Sequence, residues 1–268
     1  GLGGGGLGGT PARPPGWRKA APGQQAGPRL LVTTPAYNEE HSLARVIGNV
    51  RSAMPGIDIV VIDDGSTDKT AAIAAGQGVA LVRLPYNLGI GTAMQTGFLF
   101  ARQRGYDYAI QVDGDGQHDP REIPDLLAAL QATGADVVIG SRYIEDRGYI
   151  TPWLRRLGIV ILSAIISAIT GQRITDPTSG FRAMNRRAIA FSAADYPFDY
   201  PEPESVVIFK RAGLRIAEIP VTMNPRYGGQ SSITPVRSAY YMVKVIMAIL
   251  VGLLRRHARA VEEAPHVQ

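Results

Sequence analysis

The sequence predicts an α/β fold with a mostly parallel central sheet flanked by helices, and two patterns support this prediction. From Leu30 onward, short apolar runs alternate with helical periods across short connections, which is typical of strand–helix–strand units in a parallel sheet. Acidic residues directly follow two of the apolar runs, and that edge of a parallel sheet is where such folds bind ligands.

The first half of the chain contains the predicted strands and the helices between them. Strands are predicted at residues 30–34, 57–62, 79–84, 108–112 and 137–139. The first helix presents Leu43, Val46, Ile47 and Val50 on one face, and Asn38 is predicted to cap its start. Further helices are predicted from residue 66 to about 76–78, at 89–104 and at 120–131.

The alternation stops after residue 150, where two strongly apolar helices are predicted at 153–170 and 238–254. A loop, a helix near 204–212 and a strand at 215–223 lie between them. A transmembrane helix needs roughly 20 apolar residues, but the first apolar run is shorter and Lys244 interrupts the second. We therefore expect core helices, helices that lie in the membrane interface, or helices that pair between two subunits of a homodimer.

Composition and charge separate two tails from the folded part. Residues 1–29 hold ten of the 31 glycines and five of the 19 prolines, with four basic residues and no acid, so we expect a disordered basic tail. Subtracting this +4 from the net charge of +5 leaves +1, which does not indicate a nucleic-acid-binding protein. Residues 30–254 are expected to form one domain, and residues 255–268 a polar tail. The chain has no Cys and no visible signal peptide, so we expect a protein of the reducing cytoplasm.

Carboxylates follow two predicted strands. Asp63 and Asp64 end the second strand, and Asp113-Gly114-Asp115 ends the fourth. Buried carboxylates are unfavourable unless water, a hydrogen-bond donor or a metal compensates them. An isolated Asp-x-Asp is usually a turn, but here an apolar strand precedes it and a second acidic strand end matches it. Asp113 and Asp115 are therefore predicted to bind Mg²⁺ or Mn²⁺ that carries a substrate diphosphate.

The small residues at the start of one predicted helix also indicate a site for a phosphate-containing substrate. Gly89 and Gly91 open the helix at 89–104 without large side chains near its N-terminus, which suits a phosphate or sugar lying across it. Met94 stands where a dinucleotide fingerprint would need a third glycine, and no phosphate-binding loop with a Gly-Lys-Ser/Thr end is present. As packing glycines alone, the two residues would be unremarkable.

Four motifs together resemble glycosyltransferase family 2, in the order and with the spacing typical of that family. They are Thr34-Pro35-Ala36-Tyr37-Asn38-Glu39-Glu40, Val61-Ile62-Asp63-Asp64-Gly65-Ser66-Thr67-Asp68, Asn87-x-Gly89-x-Gly91-x-Ala93 and Asp113-Gly114-Asp115-Gly116-Gln117. Gly140-Ser141-Arg142-Tyr143 and the segment at 176–182 extend the resemblance to the dolichol-phosphate mannosyltransferase-like branch, over about residues 30–250. The resemblance implies a GT-A fold, with a nucleotide-binding half at 30–140 and an acceptor half at 141–254.

The resemblance also implies a role for individual residues. Tyr37 would stack near the base, Glu39 would accept from the nucleoside, and Asp64 would contact the base. The implied nucleotide-sugar site comprises Pro35, Ala36, Tyr37, Glu39, Asp63, Asp64, Asp113 and Gly114. The implied metal ligands are Asp113, Asp115 and Gln117, and the implied acceptor or phosphate ligands are Arg142, Ser179, Arg226 and Ser232. The implied catalytic residues are Asp115, Arg226 and Glu204, with Arg226 in a loop over the diphosphate.

Two motifs that such enzymes often carry are absent. Without Gln-x-x-Arg-Trp a polymerising enzyme is disfavoured, and without Glu-Asp the usual base for hydroxyl acceptors is not found. Either the acceptor is a phosphate, which is ionised near neutral pH and needs no strong base, or Glu204 serves as the base. Glu204 is equally explained as a helix-start carboxylate favoured by the helix dipole, and His118 is expected to support the Asp113–Asp115 turn.

The sequence thus predicts an inverting, metal-dependent enzyme that moves one sugar from GDP-mannose or a UDP-hexose to a polyprenyl or dolichyl phosphate. It would lie at the inner face of the membrane, with Arg155, Arg156, Arg255 and Arg256 near anionic lipid. One alternative acceptor is a hydroxyl of a cell-envelope glycan. A sugar nucleotidyltransferase is disfavoured because residues 35–39 carry no basic residue. A non-catalytic nucleotide-binding protein at the membrane surface is the alternative from another class.

Overall fold

The structure, a computed structural model, describes residues 27–145, 153–225 and 235–254. The tail through residue 26, the tail at 255–268, Arg226 and Ser232 lie outside the described residues, as does the side chain of Arg155. The predictions made for them are therefore not addressed by the fold.

Strands and helices alternate along the described chain much as the sequence predicts. The strands are β1 Leu30–Ala36, β2 Asp58–Asp63, β3 Ala80–Arg83, β4 Tyr108–Gln111, β5 Val137–Ser141, β6 Arg182–Asn185 and β7 Ile216–Pro220. The helices are α1 Leu43–Ala53, α2 Thr70–Gly76, α3 Ile90–Gln103, α4 Ile123–Thr133, α5 Trp153–Thr170, α6 Arg186–Ala194, α7 Pro201–Arg211 and α8 Pro235–Leu254. A short 3-10 turn, Pro120–Glu122, precedes α4.

The seven strands form one sheet in the order β3-β2-β1-β4-β6-β5-β7. The β1–β2, β1–β4, β2–β3 and β5–β7 pairs are parallel, whereas β6 runs antiparallel to β4 and β5. The carboxyl ends of β1, β2 and β4 therefore meet at one edge, which confirms the predicted mostly parallel sheet.

Alternate strand residues bury opposite faces of this sheet, which separates the core into two layers. On β2, Val60 and Ile62 pack into the layer that contains α3, α5, α6, α7 and α8. Val61, between them, packs into the layer of α1, α2 and α4. Because both faces of the strand are covered, its sequence is a continuous apolar run instead of an alternating one.

The segment predicted as a loop after residue 170 contains β6 and α6, so that prediction was wrong. The four residues of β6 include no β-branched residue, and its first residue is Arg182, which is only 1% exposed. α6 begins directly after the strand, where the Asn185 side chain accepts a hydrogen bond from the Ala188 N–H at 3.0 Å. A buried arginine and a short strand give no apolar pattern that a sequence could reveal.

The two apolar helices form as predicted, with α8 starting three residues earlier than expected. Leu162 and Ile166 on α5, and Val245 and Ile249 on α8, are buried in the core. No helix of the described chain is long and apolar enough to cross a membrane.

Candidate active site

The turn after β1 (residues 35–39, called the first turn) and the Asp113-Gly114-Asp115 turn after β4 meet at the carboxyl edge of the sheet. Ala36, the last residue of β1, pairs with Asp63 of β2. The Gly114 N–H donates to the Pro35 carbonyl at 3.3 Å, and a Cβ on Gly114 would lie only 3.2 Å from that carbonyl oxygen. The fold therefore brings together Pro35, Ala36, Asp63 and Gly114, four of the residues predicted for a nucleotide sugar.

The turn after β1 is held against the start of α2. Asn38 has a left-handed φ of 54°, its N–H donates to Ser66 Oγ at 2.9 Å, and its Oδ1 accepts from the Thr67 N–H at 2.9 Å. The prediction that Asn38 caps α1 was wrong, because α1 begins only at Leu43 and Asn38 instead joins two loops. Tyr37 remains 45% exposed, so its ring is accessible for stacking.

Glu39 and the acids after β2 each have a partner within the protein. The Glu39 carboxylate accepts from Ser42 Oγ at 2.6 Å. Asp63 is fully buried and accepts from the Ser66 N–H and Arg83 Nε, both at 3.1 Å. The two oxygens of Asp64 accept from the Leu88 N–H at 2.8 Å and the Gly89 N–H at 2.9 Å. Asp64 thus fixes the start of α3 beside the site, while base recognition by these acids stays a prediction.

The Asp113–Asp115 turn is supported from beneath by His118. The imidazole Nδ1 accepts from the Asp113 N–H at 3.1 Å, and Nε2 lies 3.6 Å from Asp113 Oδ2. The His118 ring is 3% exposed and stacks on Phe181 with centroids 4.9 Å apart. His118 therefore orients Asp113, as the sequence led us to expect.

The oxygens of this turn suit a divalent cation that shares its ligands with a substrate. Asp115 is 6% exposed and its Oδ1 accepts from the Gln117 N–H at 2.9 Å, while Asp113 is more open and accepts from Gln111 Nε2 at 3.0 Å. Within the described residues, no group of three or more His, Asp or Glu side chains holds a metal by itself. Two carboxylates completed by phosphate oxygens and water are a common arrangement for Mg²⁺, so the donor set fits.

Arg142 and Ser179, which are predicted to bind a phosphate, are both buried. Arg142 Nε and Nη2 donate to the two carboxylate oxygens of Asp176 at 2.6 and 2.7 Å. Ser179 is fully buried, and its carbonyl accepts from Arg182 Nε at 2.7 Å. These contacts give both residues a part in the fold, and their phosphate contacts stay predictions.

Glu218 on β7 holds the segment that carries Asp176. Its carboxylate accepts from the Thr175 N–H at 2.7 Å, from Thr175 Oγ1 at 3.0 Å and from the Asp176 N–H at 3.0 Å. Burial raises the pKa of Glu218, although these donors oppose the shift. Sequence reasoning missed this residue, because its partners are about 40 residues away along the chain.

The two acids at the start of α7 have different surroundings. Glu204 lines a cavity of about 350 Å³ between residues 195–199, α7 and α8, which the acids of the β2 and β4 ends do not line. Successive helical residues are about 100° apart, so Glu202 and Glu204 point in different directions. Burial raises the pKa of Glu202, which the charge of Arg182 lowers and the charge of Asp113 raises. Both acids lie in the segment at 200–204, and the role of Glu204 as a base stays a prediction.

The fold and this site define a glycosyltransferase of the GT-A type. The chain belongs to glycosyl transferase family 2, whose family model matches residues 31–191. This confirms the predicted family and fold. Because the family consists of glycosyltransferases, the chain is an enzyme and not the non-catalytic nucleotide-binding protein that was the alternative.

Among its relatives, the chain is 33% identical over 232 residues to a polyprenol monophosphomannose synthase of Mycolicibacterium smegmatis, covering 81% of this chain and 85% of the relative. It is also 33% identical over 215 residues to an undecaprenyl-phosphate mannosyltransferase of Micrococcus luteus, covering 77% of this chain and 88% of the relative. These similarities place the chain with the dolichol-phosphate mannosyltransferase-like branch.

Solved structures share the fold at lower identity. A glucosyl-3-phosphoglycerate synthase of Mycobacterium tuberculosis, crystallised with Mn²⁺, UDP and glucosyl-3-phosphoglycerate, superposes with a TM-score of 0.63 at 21% identity, covering 88% of this chain and 86% of that chain. A mannosyl-3-phosphoglycerate synthase of Rubrobacter xylanophilus superposes with a TM-score of 0.66 at 20% identity, covering 88% and 78%. At these identities the likeness concerns the fold.

Proposed function

We propose that this glycosyltransferase moves one sugar from a nucleoside-diphosphate sugar to a polyprenyl phosphate, with inversion at the anomeric carbon. The observation that carries the proposal is the Asp113-Gly114-Asp115 turn, which follows β4 and packs against Pro35 of the first turn. The names of the relatives given above support a polyprenyl phosphate as the acceptor and mannose as the sugar. GDP-mannose and UDP-hexoses are the donors to be tested.

In this proposal, the residues at the carboxyl edge of the sheet have distinct roles. Tyr37 stacks on the nucleoside base, and Gly89, where a Cβ would meet no atom within 4 Å, leaves room for the diphosphate at the start of α3. Asp113 and Asp115, with Gln117, hold Mg²⁺ or Mn²⁺, and such an ion neutralises the charge of a leaving diphosphate. Arg226, outside the described residues, is proposed to close over the diphosphate, with Ser232 near the acceptor phosphate.

The acceptor step needs no proton transfer. An ionised phosphate oxygen attacks the anomeric carbon, and the bond from that carbon to the donor diphosphate breaks on the opposite side. A hydroxyl acceptor would need a base near its attacking oxygen. Because Glu204 lines the cavity beside α8 and Asp113 does not, the arrangement favours the phosphate acceptor over a cell-envelope glycan.

The exposed faces of α5 and α8 support a place at the inner membrane surface. Trp153 and Leu157 on α5 are 75% and 50% exposed, and Met247 and Val251 on α8 are also exposed. The two helices pack together, and we propose that their exposed apolar side chains form one surface. Such a surface inserts into the headgroup region of a bilayer, and pairing of two subunits through it is the alternative.

The test is a transfer assay with purified protein, labelled GDP-mannose or UDP-hexoses, and Mn²⁺ or Mg²⁺. We expect label to move to polyprenyl phosphate and not to saccharide acceptors. Asp115→Asn should reduce transfer by at least about a hundredfold, because a lost metal ligand removes several kcal/mol of charge stabilisation. Asp125→Asn, the same chemical change at an exposed position of α4, is the control. Transfer to saccharides alone, or full activity of Asp115→Asn, would contradict the proposal.

A further inference from the structure

We propose that Gln111 is a positioning residue for the metal site, whose side-chain amide holds the Asp113 carboxylate in the orientation that binds a divalent cation. This inference rests on the proposed function, because it requires Mg²⁺ or Mn²⁺ at the Asp113–Asp115 turn. Gln111 is the last residue of β4. It lies two positions before Asp113, outside the motif that contains the two acids.

The Asp113 carboxylate has a nitrogen neighbour at each of its two oxygens. Gln111 Nε2 donates to Oδ1 at 3.0 Å. On the other side, His118 Nδ1 accepts from the Asp113 N–H, which leaves the proton of the neutral ring on Nε2, and Nε2 lies 3.6 Å from Oδ2. Gln111 and His118 are both buried, whereas the Asp113 side chain is 32% exposed. The carboxylate therefore reaches the open edge of the sheet from a buried support.

The bond to Asp113 determines how the Gln111 amide is turned. Gln111 Oε1 is buried and has no hydrogen-bond partner among the described residues. If the amide were turned over, Oε1 would face the carboxylate, and two acceptors would meet without a proton between them. An unpartnered buried oxygen is unfavourable, so stability alone gives no reason for an amide at this position. The orientation of Asp113 gives one.

Gly180 lies directly against this hydrogen bond. A Cβ at Gly180 would be 2.8 Å from Gln111 Nε2 and 3.2 Å from Asp113 Oδ2. Both atoms are at the ends of side chains, which can shift more easily than backbone. A methyl group at Gly180 would therefore push the amide and the carboxylate apart. Gly180→Ala thus offers a second way to break the bond, with Gln111 itself unchanged.

The experiment measures Mn²⁺ binding by electron paramagnetic resonance in the presence of GDP or UDP, so that it does not depend on the acceptor. Removal of a side chain that orients a metal ligand typically weakens metal binding 10- to 100-fold. We expect this loss in both Gln111→Met and Gly180→Ala. Methionine matches the length of glutamine and leaves no buried oxygen unpartnered, so the Tm of Gln111→Met should stay within about 4 °C of the parent value. Nucleotide binding without metal should be unchanged.

Thr33→Val is the matched control. Thr33 pairs with Gln111 across β1 and β4 and is fully buried. Its Oγ1 also has no hydrogen-bond partner in the described part of the chain, Asp113 included. The variant therefore changes a buried polar side chain beside Gln111 without touching the carboxylate, and it should bind Mn²⁺ like the parent.

Each outcome of these measurements supports or overturns a stated claim. Parent-like Mn²⁺ affinity in Gln111→Met would overturn the inference, and so would an equal loss in Thr33→Val or weaker metal-free nucleotide binding in Gln111→Met. If Gln111→Met does not fold, Gly180→Ala decides by the same criteria. If the parent with nucleotide binds no Mn²⁺, the inference and the metal site of the proposed function both fall. If Mn²⁺ binds but polyprenyl phosphate receives no sugar, the acceptor of the proposed function alone is wrong.

Discussion

Arg142 and Asp176 form a buried ion pair in which the Arg142 Nε and Nη2 atoms lie 2.6 and 2.7 Å from the two carboxylate oxygens of Asp176. The Arg142 side chain is 4% exposed and that of Asp176 is fully buried. The Asp176 carboxylate also accepts from the Arg142 backbone N–H at 3.1 Å. The pair therefore fixes the end of β5 against the segment before β6. This structural role of Arg142 is separate from its predicted role in phosphate binding.

We expect Asp176→Asn to destabilise the protein by about 3–5 kcal/mol, because it leaves the Arg142 charge buried without its partner. Urea denaturation followed by circular dichroism measures this loss. The double variant Arg142→Met with Asp176→Asn should regain part of it, since no unpaired charge remains. A single variant as stable as the parent would show that the pair contributes little.

Gly91 on α3 is expected to tolerate no side chain. A Cβ there would collide with the backbone carbonyls of Pro197 and Phe198, and backbone cannot move aside as a flexible side chain can. Gly91→Ala should therefore cost about 1–3 kcal/mol of stability and weaken nucleotide binding at the start of α3. Thermal denaturation and nucleotide titration measure both effects.

Gly48 on α1 offers the matched control for that substitution. A Cβ at Gly48 would have no atom within 4 Å, so Gly48→Ala should stabilise the helix by up to about 1 kcal/mol. If the two variants behaved alike, the collision at Gly91 would not be the cause of the loss.

The parallel strands could be predicted from the sequence because a short run of consecutive apolar residues is enough to indicate a buried strand. Val60, Val61 and Ile62 are all buried, and a run of such residues predicts a strand covered on both faces. β6 could not be predicted in this way. Its place between β4 and β5 depends on antiparallel pairing with segments far along the chain, and its first residue, Arg182, is charged.

The site, too, contains residues that local sequence indicates and residues whose placement depends on distant contacts. The sequence indicates Asp113 and Asp115 because both follow a strand, and the ends of neighbouring parallel strands meet at one edge. Which acid at the start of α7 lines the cavity beside α8 depends on the rotation of α7 about its axis. That rotation is set by hydrogen bonds from Arg182 to the Glu202 carbonyl and Ser205, which no local pattern reveals.

Asp119 should make the stability depend on pH in the acidic range. A hydrogen bond from Arg121 lowers the pKa of Asp119, although burial opposes the shift. A carboxyl whose pKa is lowered by folding stabilises the protein above its unfolded pKa of about 3.9, and this contribution is lost as the pH falls through the folded-state value. Asp119→Asn should therefore be less stable than the parent by about 0.5–1 kcal/mol at pH 7, with a smaller difference at pH 3.

Urea denaturation of the parent and Asp119→Asn between pH 7 and pH 3 measures this effect. Arg121→Gln should reproduce part of it, because the hydrogen bonds from the Arg121 side chain are lost, whereas the backbone N–H of residue 121 still donates to Asp119. A difference that stays constant across this range would assign the effect to the turn geometry and not to the charge.

The exposed apolar face of α5 and α8 should decide membrane binding. Leu157 and Val251 are 50% and 48% exposed, and burial of the exposed half of such a side chain in a bilayer contributes about 1 kcal/mol each. Leu157→Ser with Val251→Ser should weaken binding to anionic vesicles at least tenfold, as measured by cosedimentation, with little change in Tm. Leu99→Ser, which removes a 41% exposed side chain from α3, should bind like the parent. If the double variant instead binds vesicles fully and converts a dimer to a monomer in size-exclusion chromatography, the face joins two subunits.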